Sequence, residues 1–185
     1  MKNIIQNIRR LFFDNSCTCC GEKASDNLIY LCYNCLDKIV RQKSLNKVGD
    51  TYYIWPYKGE FRKLLLEYKN NSRLALGKII SSLIEEEIFK VVYEEDIDYI
   101  VPIPINFRRE QIRGFNQVEE ILKNLNYSFL KTNRVKNTKK MFKLLDKEKR
   151  ENNIKNSFKV DKEFKAKNIL IFDDIITTGA TIEEF

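Results

Sequence analysis

The sequence predicts an α/β fold: a parallel sheet flanked by helices, with a small cysteine module in front of it. Three observations predict it. Ile169-Leu170-Ile171-Phe172 sets four apolar residues before Asp173 and Asp174, a buried strand with two carboxylates at its C-terminal end. Asp98-Tyr99-Ile100-Val101 gives a second short buried strand, and it follows two long stretches of helical spacing. Five cysteines fall between positions 17 and 35, and none occurs later.

Length and composition bound the answer. At 185 residues, 43% of them hydrophobic, the chain makes one domain with a real core, or one domain plus a small module. No stretch approaches the ~20 apolar residues of a membrane span. Lys2, Arg9 and Arg10 are scattered through the apolar residues of positions 1–13, as in a short amphipathic helix. Asp14 and Asn15 then cut off any apolar run, so no signal peptide is expected and the protein is expected in the cytoplasm. Histidine is absent. That excludes a Ser-His-Asp triad, the HExxH zinc proteases and any histidine-based proton switch. The net charge is +7 and it is concentrated: from Lys131 to Lys167 there are fourteen Lys/Arg against five Asp/Glu. Such a segment suits a polyanion, either nucleic acid or a pyrophosphate, and is equally what a solvated basic stretch looks like.

Cys17-Thr18-Cys19-Cys20 and Cys32-Tyr33-Asn34-Cys35 form two Cys-x₂-Cys pairs separated by eleven residues. Cys17, Cys20, Cys32 and Cys35 are expected to close a tetrahedral thiolate cage around a structural Zn²⁺. Four thiolates leave no position open for catalysis. Gly21 suits a tight metal knuckle, because glycine accepts positive φ. The odd cysteine count argues against a disulfide framework. Cys19 reads as the spare, although it is placed to replace Cys17 as a ligand.

Residues 36–50 read as a helix end and a polar linker. Thr51 to Tyr57 reads as a strand that Pro56 stops or keeps at an edge. Glu60–Lys69 and Leu74–Tyr93 have helical spacing, with Leu64, Leu65 and Tyr68, then Leu76, Ile79, Ile80, Leu83, Ile84 and Ile88, on their inner faces. The strand ending at Val101 is stopped by Pro102-Ile103-Pro104. A basic run, Arg108 to Arg113, leads to Gly114, which permits close approach, and Asn116 and Gln117 begin a helix reaching about Leu125. This layout fits an anion site at a sheet edge; a helix with an arginine-rich solvent face fits it equally.

The last part of the chain is the most informative. After Asp173 and Asp174, a short apolar step leads to Thr177-Thr178-Gly179-Ala180-Thr181, which opens a helix. Ligands of α/β folds bind at the C-terminal edge of the parallel sheet. A Gly/Thr turn at a helix N-terminus offers N–H groups, hydroxyls and a favourable dipole to phosphate. Two acids beside it suit sugar hydroxyls or an outer-held Mg²⁺. The site therefore reads as one for a phosphorylated sugar.

The run from Ile169 to Thr181 resembles the PRPP-binding motif of type I phosphoribosyltransferases: an apolar strand, two acids, two apolar residues, then Thr-Thr-Gly-x-Thr. The resemblance implies that Thr177, Thr178, Gly179, Ala180 and Thr181 hold the 5′-phosphate and that Asp173 and Asp174 face the ribose. A wider resemblance runs in order from Cys17 to Phe185: Cys-x₂-Cys-Gly, Leu-Cys-x₂-Cys, Val-Pro-Ile-Pro, Arg-Gly-Phe-Asn-Gln, then Arg150, Asn153 and Phe158, then the PRPP-type motif. In this the chain is similar to the ComF family, competence-associated proteins with phosphoribosyltransferase likeness. The family resemblance implies a type I phosphoribosyltransferase-like parallel sheet over residues 51–185, with a helix and four-cysteine zinc ribbon over 1–50. It implies that Pro102, Ile103 and Pro104, supported by Arg113, Gly114, Asn116 and Gln117, take the pyrophosphate. It also implies a role in uptake of single-stranded DNA during transformation, beside a DNA-translocating helicase of the same operon. The activity expected is Mg²⁺-dependent pentosyl transfer; the alternative is a regulator or DNA-binding module that kept the fold without the chemistry.

Two departures stand out. Where the family commonly has Thr-x₂-Gln-x₂-Leu, this chain places Met141, which cannot make an amide's hydrogen bonds. The sequence also stops at Phe185, four residues past Thr181, so the C-terminal part of the fold is expected to be missing from it.

Overall fold

The computed structural model describes residues 16–70, 73–134, 158–159 and 168–176. The chain divides into two compact units, 1–76 and 77–185. Among the described residues it holds helices and three two-stranded sheets. No described helix is long and apolar enough to cross a membrane.

In the first unit the cysteine loop leads into helix α1 (Tyr33–Arg41), then strands β1 (Asn46–Val48) and β2 (Thr51–Tyr53), then helix α2 (Gly59–Asn70). The two strands form an antiparallel hairpin, with Lys47 opposite Tyr52. Gly49 takes φ +58 at the first position of its two-residue turn, where any side chain would be strained. The expected linker thus holds a strand, and the expected strand over 51–57 ends at Tyr53. Asn-Lys-Val carries no apolar alternation to announce β1. Beyond β2 the chain turns inward and buries Trp55. Its ring stacks on Phe61, with centroids 4.3 Å apart, and its Nε1–H donates to the Ile39 carbonyl at 2.9 Å. Leu64, Leu65 and Tyr68 of α2 are fully buried, at the spacing the sequence predicts.

The second unit is built on helix α3 (Leu74–Glu94), whose first turn belongs to the first unit. Ile80, Ile84, Ile88 and Val91 line its buried face. Strand β3 (Tyr99–Pro102) follows, then helices α4 (Phe107–Arg113) and α5 (Gln117–Asn124), the short antiparallel pair β4 (Asn133–Arg134) and β5 (Phe158–Lys159), and strand β6 (Ile169–Phe172). Val118, Ile121 and Leu122 form the inner face of α5. The Ser81 hydroxyl lies 2.8 Å from the Gly77 carbonyl and 3.3 Å from that of Ile121, which joins α3 to α5.

β3 and β6 pair in parallel, Tyr99 opposite Ile169 and Pro102 opposite Phe172. A bond from the Ile103 N–H to the Phe172 carbonyl (3.0 Å) carries the ladder one step further. On its other edge, the Ile100 carbonyl of β3 accepts from the Leu130 N–H at 2.9 Å. β3 is buried from Ile100 onward. β6 was expected to be a buried strand, yet Ile169 is exposed and Leu170, Ile171 and Phe172 are half-buried. The reason is position: among the described residues β6 has β3 as its single strand partner.

Asn168 fixes where β6 begins. Its Nδ2 donates to the carbonyls of Glu95 (3.0 Å) and Asp96 (3.2 Å), and its N–H donates to Asp98 Oδ2 at 3.0 Å. The Asp98 N–H in turn reaches the Asn168 carbonyl at 2.9 Å. Asp96 itself takes φ +47 in the turn between α3 and β3. Asn168→Ala removes the two side-chain bonds from an exposed site, so a loss of about 1–2 kcal/mol is expected, read as a lower urea midpoint with unchanged slope.

Candidate functional site

The sulfurs of Cys17, Cys20, Cys32 and Cys35 all lie within 4.8 Å of one another. Backbone geometry brings them there. Cys17 N–H bonds to the Glu22 carbonyl at 2.6 Å, Gly21 N–H returns to the Cys17 carbonyl at 2.8 Å, and Gly21 takes φ +81. Tyr30 takes φ +67, an uncommon state for a bulky residue, just before the second pair. Two contacts hold it: its carbonyl accepts from Thr18 N–H at 2.9 Å, and the Arg73 guanidinium lies 4.3 Å from its ring centre. Cys32 then caps α1, its sulfur accepting from the Cys35 N–H at 3.5 Å.

These residues fit a zinc ion. A tetrahedron of ~2.3 Å Zn–S bonds has sulfurs ~3.8 Å apart. The Cys20 and Cys32 sulfurs stand 3.7 Å apart. Burial pushes the Cys17 thiol up, but N–H groups of Cys20, Cys19 and Cys32 and the Cys20 side chain outweigh it and bring it down to about 6. Burial and the neighbouring thiols push Cys35 up. A bound cation would draw all four to the thiolate form.

Cys19 is turned elsewhere. Its thiol donates to the Glu60 carbonyl at 3.4 Å, and its own carbonyl accepts from Lys63 Nζ at 2.8 Å. Burial, followed by the charge of Cys17, pushes its thiol up to about 12. Cys19 therefore anchors the knuckle to α2 and does not replace Cys17 in the cluster. Lys63 and Glu60 were not singled out from the sequence; no motif links them to a cysteine more than 40 positions away.

The second constellation lies at the C-terminal ends of β3 and β6. β3 does not stop at Val101 but includes Pro102, and Pro102, Ile103 and Pro104 are all buried. Asn106 caps α4, its Oδ1 accepting from the Arg108 N–H at 3.0 Å. The basic run is thus helical, and α4 ends at Gly114, whose φ of +84 turns the chain into α5. Asn116 caps α5 through Val118 N–H at 3.0 Å, and its Nδ2 donates to Glu119 at 3.2 Å. Gln117, 4% exposed, is the first residue of α5. Its Nε2 donates to Asp174 Oδ2 at 2.8 Å, and its Oε1 accepts from Arg113 Nη1. The Asp174 N–H donates to Asp173 Oδ1 at 2.7 Å.

The structure thus brings Arg113, Gln117, Asp173 and Asp174 together, across a separation of 57 positions between Gln117 and Asp174. Pro102 to Pro104 leave the neighbouring strand at the same level as the acids, since Pro102 pairs with Phe172. Thr177, Thr178, Gly179, Ala180 and Thr181 lie outside the described residues, as does most of the basic segment from Lys131 to Lys167.

The described residues define a protein of mixed helices and small sheets, with carboxylates at the C-terminal end of its parallel strand pair and a four-cysteine cluster that could hold a metal ion. No protein-family model matches the chain, and no solved structure matches it. Curated relatives do match. The chain is 26% identical over 177 residues to the DNA utilization protein YhgH of Escherichia coli K12, spanning 91% of the chain and 74% of that protein. It is 26% identical over 182 residues to Competence protein F of Haemophilus influenzae, spanning 89% and 75%. It is 32% identical over 140 residues to Competence protein ComFC of Streptococcus pneumoniae, spanning 70% and 56%. These relatives, together with the four-cysteine cluster, support a likeness to the ComF family.

Proposed function

We propose that this chain binds PRPP or a related phosphosugar, with Mg²⁺, on a phosphoribosyltransferase-like fold, and acts in uptake of single-stranded DNA during natural transformation. The observation that carries the reading is the bond from Gln117 to Asp174. It joins the Arg-Gly-Phe-Asn-Gln run to the acid pair at the ends of two parallel strands, where α/β folds bind ligands. The relatives' names, DNA utilization and competence, support the role in DNA handling. Zinc in the cysteine cage serves structure. We take residues 1–50 as that zinc module and 51–185 as the phosphosugar domain, working in the cytoplasm beside a DNA translocase.

Each group has a task in this reading. Asp173 and Asp174 orient the ribose through its hydroxyls. Thr177 to Thr181 take the 5′-phosphate. Pro102 to Pro104 and Arg113 face the pyrophosphate, and Mg²⁺ carried with PRPP would supply charge neutralisation of that leaving group. No proton need move through histidine; holding two reactants in line is the main contribution asked of the protein.

Calorimetric titration of PRPP with Mg²⁺ into the zinc-loaded chain tests this, beside an Asp173→Asn/Asp174→Asn variant. Saturable binding that the variant weakens by about a hundredfold or more is expected, since each lost carboxylate bond costs ~1.5–3 kcal/mol. No heat from a folded, zinc-containing chain would remove the phosphosugar reading and leave a DNA- or partner-binding module.

A further inference from the structure

We propose that Gln117 is a positioning residue, which sets the orientation of Asp174 for the phosphosugar and is itself set by Arg113. The inference rests on the phosphosugar reading above and goes beyond it, because it gives Gln117 and Arg113 a task other than pyrophosphate contact.

The chemistry of the three groups fixes the arrangement. Arginine only donates, and an ionised aspartate only accepts. A carboxamide does one at each end. Between Arg113 and Asp174 it has a single satisfying orientation, oxygen toward the guanidinium and NH₂ toward the carboxylate, and that is the one seen. Glutamate could not donate to Asp174, and lysine could not accept from Arg113. Gln117 is 4% exposed, so solvent offers little substitute for either bond.

Placement adds to this. Gln117 opens α5, directly behind the Asn116 cap, and the buried Val118, Ile121 and Leu122 hold that helix against the core. A rigid helix start thus grips one oxygen of Asp174, while the Asp174 backbone N–H grips Asp173 Oδ1. The two carboxylates are oriented before any ligand arrives, and less conformational freedom is lost on binding.

Gln117→Ala and the isosteric Gln117→Glu test the idea, with PRPP affinity measured by calorimetry and stability by urea unfolding. Both variants are expected to weaken PRPP about ten- to a hundredfold, the scale of one bond to a charged group. Gln117→Glu, which sets a second carboxylate against Asp174, should be the weaker binder. Unfolding of Gln117→Ala, Asp174→Ala and the double variant completes a cycle that needs no ligand. Non-additive losses are expected, because the two groups share one bond. Additive losses would overturn the proposal, as would either variant binding PRPP as the unaltered chain does. If the unaltered chain does not bind PRPP, the phosphosugar reading fails and this proposal with it; the cycle then reports whether the bond exists as a purely structural tie.

Discussion

Stripping zinc from the loaded protein, or replacing Cys35 by serine, is expected to unfold the first unit. Structural zinc in small cysteine modules contributes apparent binding energies of ~10–16 kcal/mol, as much as the whole stability of an ordinary domain. Cys17 and Cys35 are almost fully buried; Cys17 sits in a run of turns and Cys35 in the first turn of α1. Without the ion, four sulfurs within 4.8 Å of one another would have no common partner. The knuckle is also tied by Cys19, Glu60 and Lys63 to α2, so its loss should reach the helix that buries Tyr68. The protein carries its own reporter, because Trp55 is the single tryptophan and lies buried in that unit. A metallochromic dye should count one zinc per chain as Trp55 emission moves to that of a solvated indole. Full release of zinc with unchanged emission would mean that the cage does not hold the fold.

Trp55→Ala should cost about 3–5 kcal/mol, the range for emptying a large aromatic from a core. Two losses combine. Phe61 is left without its stacking partner, and the Ile39 carbonyl without the indole N–H. Trp55→Phe separates them: it keeps a ring over Phe61 and gives up the hydrogen bond, so about 1 kcal/mol is expected. Far-UV circular dichroism through a urea titration reads both variants, since the fluorophore is gone. A small loss for Trp55→Ala would mean that the hairpin and α2 do not depend on the indole.

Much of this was legible in the sequence because it rests on local patterns. The spacing of Leu64, Leu65 and Tyr68, and of Ile80, Ile84 and Ile88, is set by the helix turn and survives burial unchanged. The two Cys-x₂-Cys pairs announced the cage, since a knuckle is itself local. What could not be read is what depends on chain ends meeting. Nothing adjacent to Cys19 points to Glu60. Nothing near Asn168 points to the carbonyls of Glu95 and Asp96. Gln117 was readable as part of a basic, anion-facing run, but its grip on Asp174 needs the parallel pairing of β3 and β6. The strand Asn46–Val48 is not legible for a different reason: Asn-Lys-Val is largely exposed and leaves no apolar alternation.

The parallel register has a consequence for how such a chain can change. Asn168 pins one end of β6 to the turn before β3, and Phe172 meets Ile103 at the other. The four residues between act as a ruler of fixed length. A swap of one aliphatic for another inside it leaves Asp173 and Asp174 where they are. Adding or deleting a single residue would move both acids by ~3.3 Å along the strand and turn each to the opposite face. With the starting end pinned, the displacement has nowhere to go but toward the acids. Spelling in this segment is therefore negotiable, whereas its length is not.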